Sequence, residues 1–136
     1  MAAINIVKPN FKDVFYNCDG HKEMAARADE LWAEVIEHLT QNDLVTKSRL
    51  GMADRYCRCV TEYERWYPEA VAKGPTYKGP NGGDVFNLLW SACEKMLDRI
   101  GKMEDALMIS PRAGEGKIKK NTPERKKDAA SDFLGS

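Results

Sequence analysis

Gly74-Pro75-Thr76-Tyr77-Lys78-Gly79-Pro80-Asn81-Gly82-Gly83-Asp84-Val85-Phe86-Asn87 is the stretch on which the architecture turns. Gly74-Pro75 closes a helix, because glycine tolerates the positive φ of a helix end and proline cannot continue the ladder. Asn81-Gly82 is the preferred pair for a two-residue hairpin turn in which both central residues take positive φ. Short strands are expected on either side, at Thr76–Lys78 and Asp84–Phe86. Asn87 then caps a second helix. The glycines do not make a phosphate loop. No Gly-Lys-Ser/Thr follows at Walker spacing, and no G-x-G-x-x-G opens the helix.

Upstream, Leu50, Ala53, Tyr56, Cys57, Val60, Tyr63, Tyr67 and Val71 keep helical spacing. They predict a helix from Thr46 or Ser48, either of which can cap it, to Lys73. Pro68 removes a backbone donor and crowds the preceding turn, so a kink or break is expected there. Tyr56, Tyr63, Trp66 and Tyr67 can stack on bases, but at this spacing they belong more often to a core or subunit interface. Downstream, Leu89, Ala92, Cys93, Met96, Leu97, Ile100, Met103 and Leu107 form the stripe of a helix over residues 88–107. Gly101 inside it suggests close approach of another helix. Two long helices joined by a short hairpin pack antiparallel.

Before this pair, Met24, Ala28, Leu31, Trp32, Val35, Ile36 and Leu39 mark an N-terminal amphipathic helix over residues 22–39, with Asp19 or one of its neighbours as the candidate cap. Thr40-Gln41-Asn42-Asp43 is a polar connection. Residues 1–20 form a leader whose Phe11, Val14, Phe15 and Tyr16 either pack on a neighbour or stay loose. The fold class is therefore mainly α: an antiparallel helical hairpin of two long helices with a short β-hairpin between them, preceded by an N-terminal helix. A core region over residues 21–113 and a basic tail over 114–136, expected to be disordered when alone, complete the division.

The 136 residues carry no net charge, are 43% hydrophobic and 31% charged, and suit one domain. No apolar run approaches the roughly 20 residues that span a bilayer. Met1 to Pro9 lacks a charged leader ahead of an apolar run, so a cytoplasmic protein without membrane contact is expected. The neutral total hides an asymmetry. Arg112, Lys117, Lys119, Lys120, Arg125, Lys126 and Lys127 meet only Glu115 and Glu124, behind a body with an excess of acid. A basic tail on an acidic body suits a polyanionic partner or simply aids solubility. The four cysteines and two histidines have no zinc-ligand spacing, so reduced thiols and no metal or cofactor are expected. No nucleophile–histidine–acid set is present.

Four segments carry a family resemblance. Ala28-Asp29-Glu30-Leu31-Trp32 with Leu39, Leu50-Gly51-Met52-Ala53-Asp54-Arg55-Tyr56-Cys57, Gly74 with Pro80-Asn81-Gly82-Gly83 and Asn87, and Ile109-Ser110-Pro111-Arg112-Ala113 resemble, in that order, phage terminase small subunits of the kind often encoded beside an HNH endonuclease. After Ser-Pro that family usually continues Ser-Arg-Ala-Arg, where this chain reads Arg112-Ala113-Gly114-Glu115. The resemblance implies a non-catalytic, ring-forming homo-oligomer in the host cytoplasm. Such a ring binds double-stranded viral DNA and delivers it to the large terminase subunit, whose ATPase and nuclease package the genome; the HNH endonuclease is a further candidate partner. Lys117, Lys119, Lys120, Arg125, Lys126 and Lys127, then Arg112, are the first candidates for phosphate contacts. Lys47, Arg49, Arg55 and Arg58 form a second cluster, for which ordinary helix solubility is the competing reading. Two alternatives stand beside DNA delivery: an oligomeric protein-binding adaptor or regulator of the packaging motor or nuclease with only incidental DNA binding, and, more weakly, a helix-turn-helix regulator turning at residues 41–45.

Overall fold

The computed structural model describes residues 4–110. Its elements run α1 (Phe11–Val14), α2 (His21–Gln41), α3 (Lys47–Lys73), β1 (Thr76–Lys78), β2 (Asp84–Phe86) and α4 (Leu88–Ala106). The antiparallel long-helix pair, the hairpin between its members and the preceding helix all stand where the apolar periods put them. The basic tail lies outside the described residues.

The central rod is α3, packed against α2 on one side and α4 on the other. Both neighbours run antiparallel to it. Arg27, early in α2, meets Glu64, late in α3; Tyr56, early in α3, meets Glu104, late in α4. The shared core takes Met24, Ala28, Leu31, Trp32, Val35 and Leu39 from α2, and Ala53, Tyr56, Cys57 and Val60 from α3. Ile100 and Leu107 close it from the last helix.

The leader packs onto this core. Phe11 and Phe15 are 1% and 2% exposed, and the Phe11 ring meets Trp32 edge-on at 6.4 Å. Burying each phenyl ring contributes about 1.5–3 kcal/mol at most. That anchorage explains a helix of only four residues, too short to persist alone.

Helix ends follow local chemistry. The Thr46 hydroxyl accepts from the Arg49 amide at 3.1 Å, which settles the start of α3 in favour of Thr46 over Ser48. Of the candidates at the start of α2, it is the neighbour of Asp19 that takes the cap position. Gly20 holds that position at φ +76° without a side-chain hydrogen bond, and the Asp19 carbonyl instead accepts from Arg65 Nε at 3.3 Å. Nor does Pro68 break α3, which runs unbroken to Lys73. The fully buried Ala70 holds the turn beyond the proline in place.

The hairpin strands pair in the register Thr76 with Phe86, Tyr77 with Val85 and Lys78 with Asp84. Their connection is not the two-residue turn expected at Asn81-Gly82. It is a five-residue loop, in which the Gly82 amide donates to the Gly79 carbonyl at 3.0 Å and the Gly79 amide to the Gly83 carbonyl at 2.8 Å. Pro80 dictates this outcome: its ring fixes a negative φ and favours the first central position of the turn, with Asn81 second. Among residues 81–83 only Gly82 takes a positive φ, at +79°. Gly101 also departs from expectation, since a Cβ added there meets nothing within 4 Å.

Candidate functional site

A concave surface rich in charge lies between α3 and α4. Arg55, Arg58, Cys59 and Glu62 line one wall, and Met96, Arg99, Lys102 and Met103 the other, around a groove of about 460 Å³. Each wall repeats one pattern. Cations three apart (Arg55 and Arg58; Arg99 and Lys102) share a helix face, and a residue seven positions from the first completes two turns. Antiparallel packing brings the two patterns together.

Four cations and one carboxylate therefore line a floor made by half-buried Met96, Met103 and Cys59. Two of the cations are already paired. Arg58 grips Asp54 with two bonds of 2.8 and 3.0 Å, and Lys102 lies 3.1 Å from Asp98. Among the described residues, Arg55 and Arg99 have no carboxylate partner. The Cys59 thiol donates to the Met96 carbonyl at 3.8 Å, which ties the two walls together. Burial pushes this thiol above its ordinary range, with Glu62 adding and Arg99 opposing. Cys57 lies deeper, and burial together with Asp54 pushes it up to about 12. Both thiols stay protonated at neutral pH, a state unsuited to nucleophilic work.

The structure divides the basic cluster expected on this helix. Arg55 and Arg58 sit in the groove. Arg49 is turned away, with its guanidinium donating to the Leu44 carbonyl at 3.1 Å. Lys47 is exposed at the first residue of α3, about 12 Å along the axis from Arg55. Arg112, Lys117, Lys119, Lys120, Arg125, Lys126 and Lys127 lie outside the described residues. Sequence reading passed over Arg99 and Lys102. Their three-residue spacing was visible, but the register that sets them opposite Arg55 and Arg58 was not.

Of the aromatic group, Tyr56 is buried and its hydroxyl donates to Glu104 at 2.9 Å. Burial, and then that bond, raise its pKa beyond the usual tyrosine range. Tyr63 and Tyr67 stack at 4.9 Å, and Arg65 lies over the Trp66 ring. Tyr56 and Tyr63 belong to the core, while Tyr67 is exposed. A larger hollow of about 510 Å³ lies where α1 meets α2, but its Lys12 and Lys22 share it with Asp13 and Asp29, so no single charge dominates. Among the described residues no group of His, Cys, Asp and Glu could hold a metal ion, and no helix is long and apolar enough to cross a membrane. All four cysteines are free.

A central helix flanked by two others, with a cation-walled groove on its outer side, defines a small, mainly helical protein. Residues 28–125 match the family described as phage terminase, small subunit, and the chain belongs to it. The match begins within α2, covers α3 and α4, and continues through Lys117, Lys119 and Lys120. Membership gives the protein a role in phage DNA packaging. No curated protein and no solved structure matches the chain.

Proposed function

We propose that this subunit is a non-catalytic, oligomeric DNA-binding component that recognises viral DNA in the host cytoplasm and delivers it to the large terminase subunit. The carrying observation is the charge asymmetry inside the family match. Lys117, Lys119, Lys120 and Arg125 fall within it, beside Arg112 and ahead of Lys126 and Lys127, behind an acidic helical body. One tail neutralises few phosphates and binds DNA weakly. Several tails on one assembly raise the effective concentration of cations at the duplex and hold it without any tight single contact.

The test uses the full chain with Lys117, Lys119, Lys120, Arg125, Lys126 and Lys127 changed to Gln. Fluorescence anisotropy on a labelled duplex across a salt series should show weaker binding, with the log–log salt slope reduced by up to about 5 for each engaged tail. An unchanged slope removes the tail from the DNA contact.

The apolar floor of the α3/α4 groove favours a second reading for that surface alone. Phosphates leave methionine side chains uncovered, whereas a protein helix buries them. This favours a protein helix over a duplex as the occupant of the groove; in the adaptor reading, where DNA binding is incidental, the large subunit and an HNH endonuclease would be met through other surfaces.

A further inference from the structure

We infer that the α3/α4 groove receives α2 of a second copy of this chain, so that copies join head to tail. The inference rests on the proposed oligomeric reading and names the surfaces that build the assembly.

The molecule carries opposite charges on opposite faces. Along α3, residues 53, 57, 60 and 64 face α2, while residues 55, 58, 59 and 62 line the groove; at 100° per residue these sets lie roughly 180° apart. The groove therefore opens on the side of α3 away from α2. On α2, Glu23, Glu30, Glu34 and Glu37 are all exposed and fall on one narrow stripe, turned away from the buried Leu31, Val35 and Leu39. Arg27, at the flank of that stripe, is already engaged, donating to Glu64 at 2.8 and 3.1 Å and to Glu30 at 2.8 Å.

Dimensions and chemistry match. Glu30 to Glu37 spans seven residues, about 10 Å of helix, and so do Arg55 to Glu62 and Met96 to Met103. Along the edge of the stripe opposite Arg27, exposed Ala26 and Ala33 present methyl groups where long side chains would hold two helices apart. An incoming α2 can thus approach the methionine floor while its glutamates meet the walls, where Arg55 and Arg99 lack a carboxylate partner among the described residues. A duplex backbone would satisfy the same arginines but leave the floor wet. Because stripe and groove are different surfaces, each added copy leaves one of each open. The contact is heterologous and propagates until the rotation between copies closes a ring.

Sedimentation velocity of the full-length chain tests this with two variants, Arg55→Glu/Arg99→Glu and Glu34→Arg/Glu37→Arg. All four positions are on the surface or at its edge, and circular dichroism confirms the helical content. Each variant alone should self-associate at least about tenfold more weakly than the parent, since close interfacial charge pairs are strongly coupled. An equimolar mixture should assemble again, because the reversed groove meets the reversed stripe and the two unaltered surfaces meet each other. Assembly of both variants like the parent, or a mixture that stays dissociated, overturns the inference. So does a groove variant that assembles normally but loses DNA, which gives the groove to nucleic acid. A parent chain that stays a single protomer at every concentration sinks the oligomeric reading itself, and this inference with it.

Discussion

Asn87 ties the end of α3 to the start of α4 through one buried side chain. Its Oδ1 accepts from the Leu89 amide at 3.1 Å, capping α4, while Nδ2 donates to the Gly74 and Ala70 carbonyls at 2.8 and 3.4 Å at the end of α3. It is 5% exposed, so water does not replace these bonds. Asn87→Ala should cost about 1–3 kcal/mol, the penalty for orphaned buried groups plus a lost cap, read as a lower urea midpoint. Gly79 is needed for a different reason. A Cβ there would lie 2.6 Å from Val85 Cγ2, so Gly79→Ala should destabilise, and Val85→Ala in the same chain should recover part of the loss in a double-mutant cycle. Cys57 sets a pH dependence. Burial raises its pKa from about 9 to about 12, so the folded chain keeps a proton that the unfolded chain releases in that window. Stability is then full below pH 9 and falls as pH rises towards 12, with Tyr56 adding to the same slope. Between pH 8 and about 10.5 the Cys57 share reaches about 2 kcal/mol at most, and Cys57→Ala should flatten the decline by that amount in urea unfolding under reducing conditions.

At the scale of elements, two helix breakers sit inside helices without breaking them. Pro68 lies exposed within α3, and Gly101 faces open space within α4. Gly101→Ala should raise the thermal midpoint, corresponding to about 1 kcal/mol, because the new methyl meets nothing and the unfolded chain loses freedom. Pro68→Ala should stabilise by about 1–3 kcal/mol by restoring a ladder donor; no gain would mean that the Glu64 carbonyl is already satisfied elsewhere. The long helices and both strands could be read from the sequence to within a residue or two, since the 3.6-residue stripes run for many turns and Gly74-Pro75 and Asn87 punctuate them. What escaped were contests between neighbouring rules. Asn81-Gly82 signalled one turn, and Pro80, one residue earlier, imposed another. Asp19 had the chemistry of a cap, but the helix begins one residue later, and Gly20, at φ +76°, makes the entry. The four-residue α1 has no period to detect and exists because Phe11 and Phe15 find the core.

At the scale of the whole molecule, the charged groove was half legible. Arg55 and Arg58 stood out by spacing, while Arg99 and Lys102 became their partners only through the antiparallel register of α3 and α4. Arg49 could not be separated from them in sequence, because its bond to the Leu44 carbonyl depends on how the connection folds. Charge segregation onto opposite faces is likewise a property of packing, invisible in a chain whose net charge is zero. The proposed account joins two levels: copies that meet through these faces, and tails that together hold a duplex. Sedimentation of the full-length chain with a labelled viral duplex tests both at once. At about 0.05 M salt the account predicts a particle heavier than one protomer that carries the DNA, and at about 0.5 M the DNA should leave it, as phosphate-dominated binding requires. A lone protomer that ignores the duplex at the lower salt would contradict it.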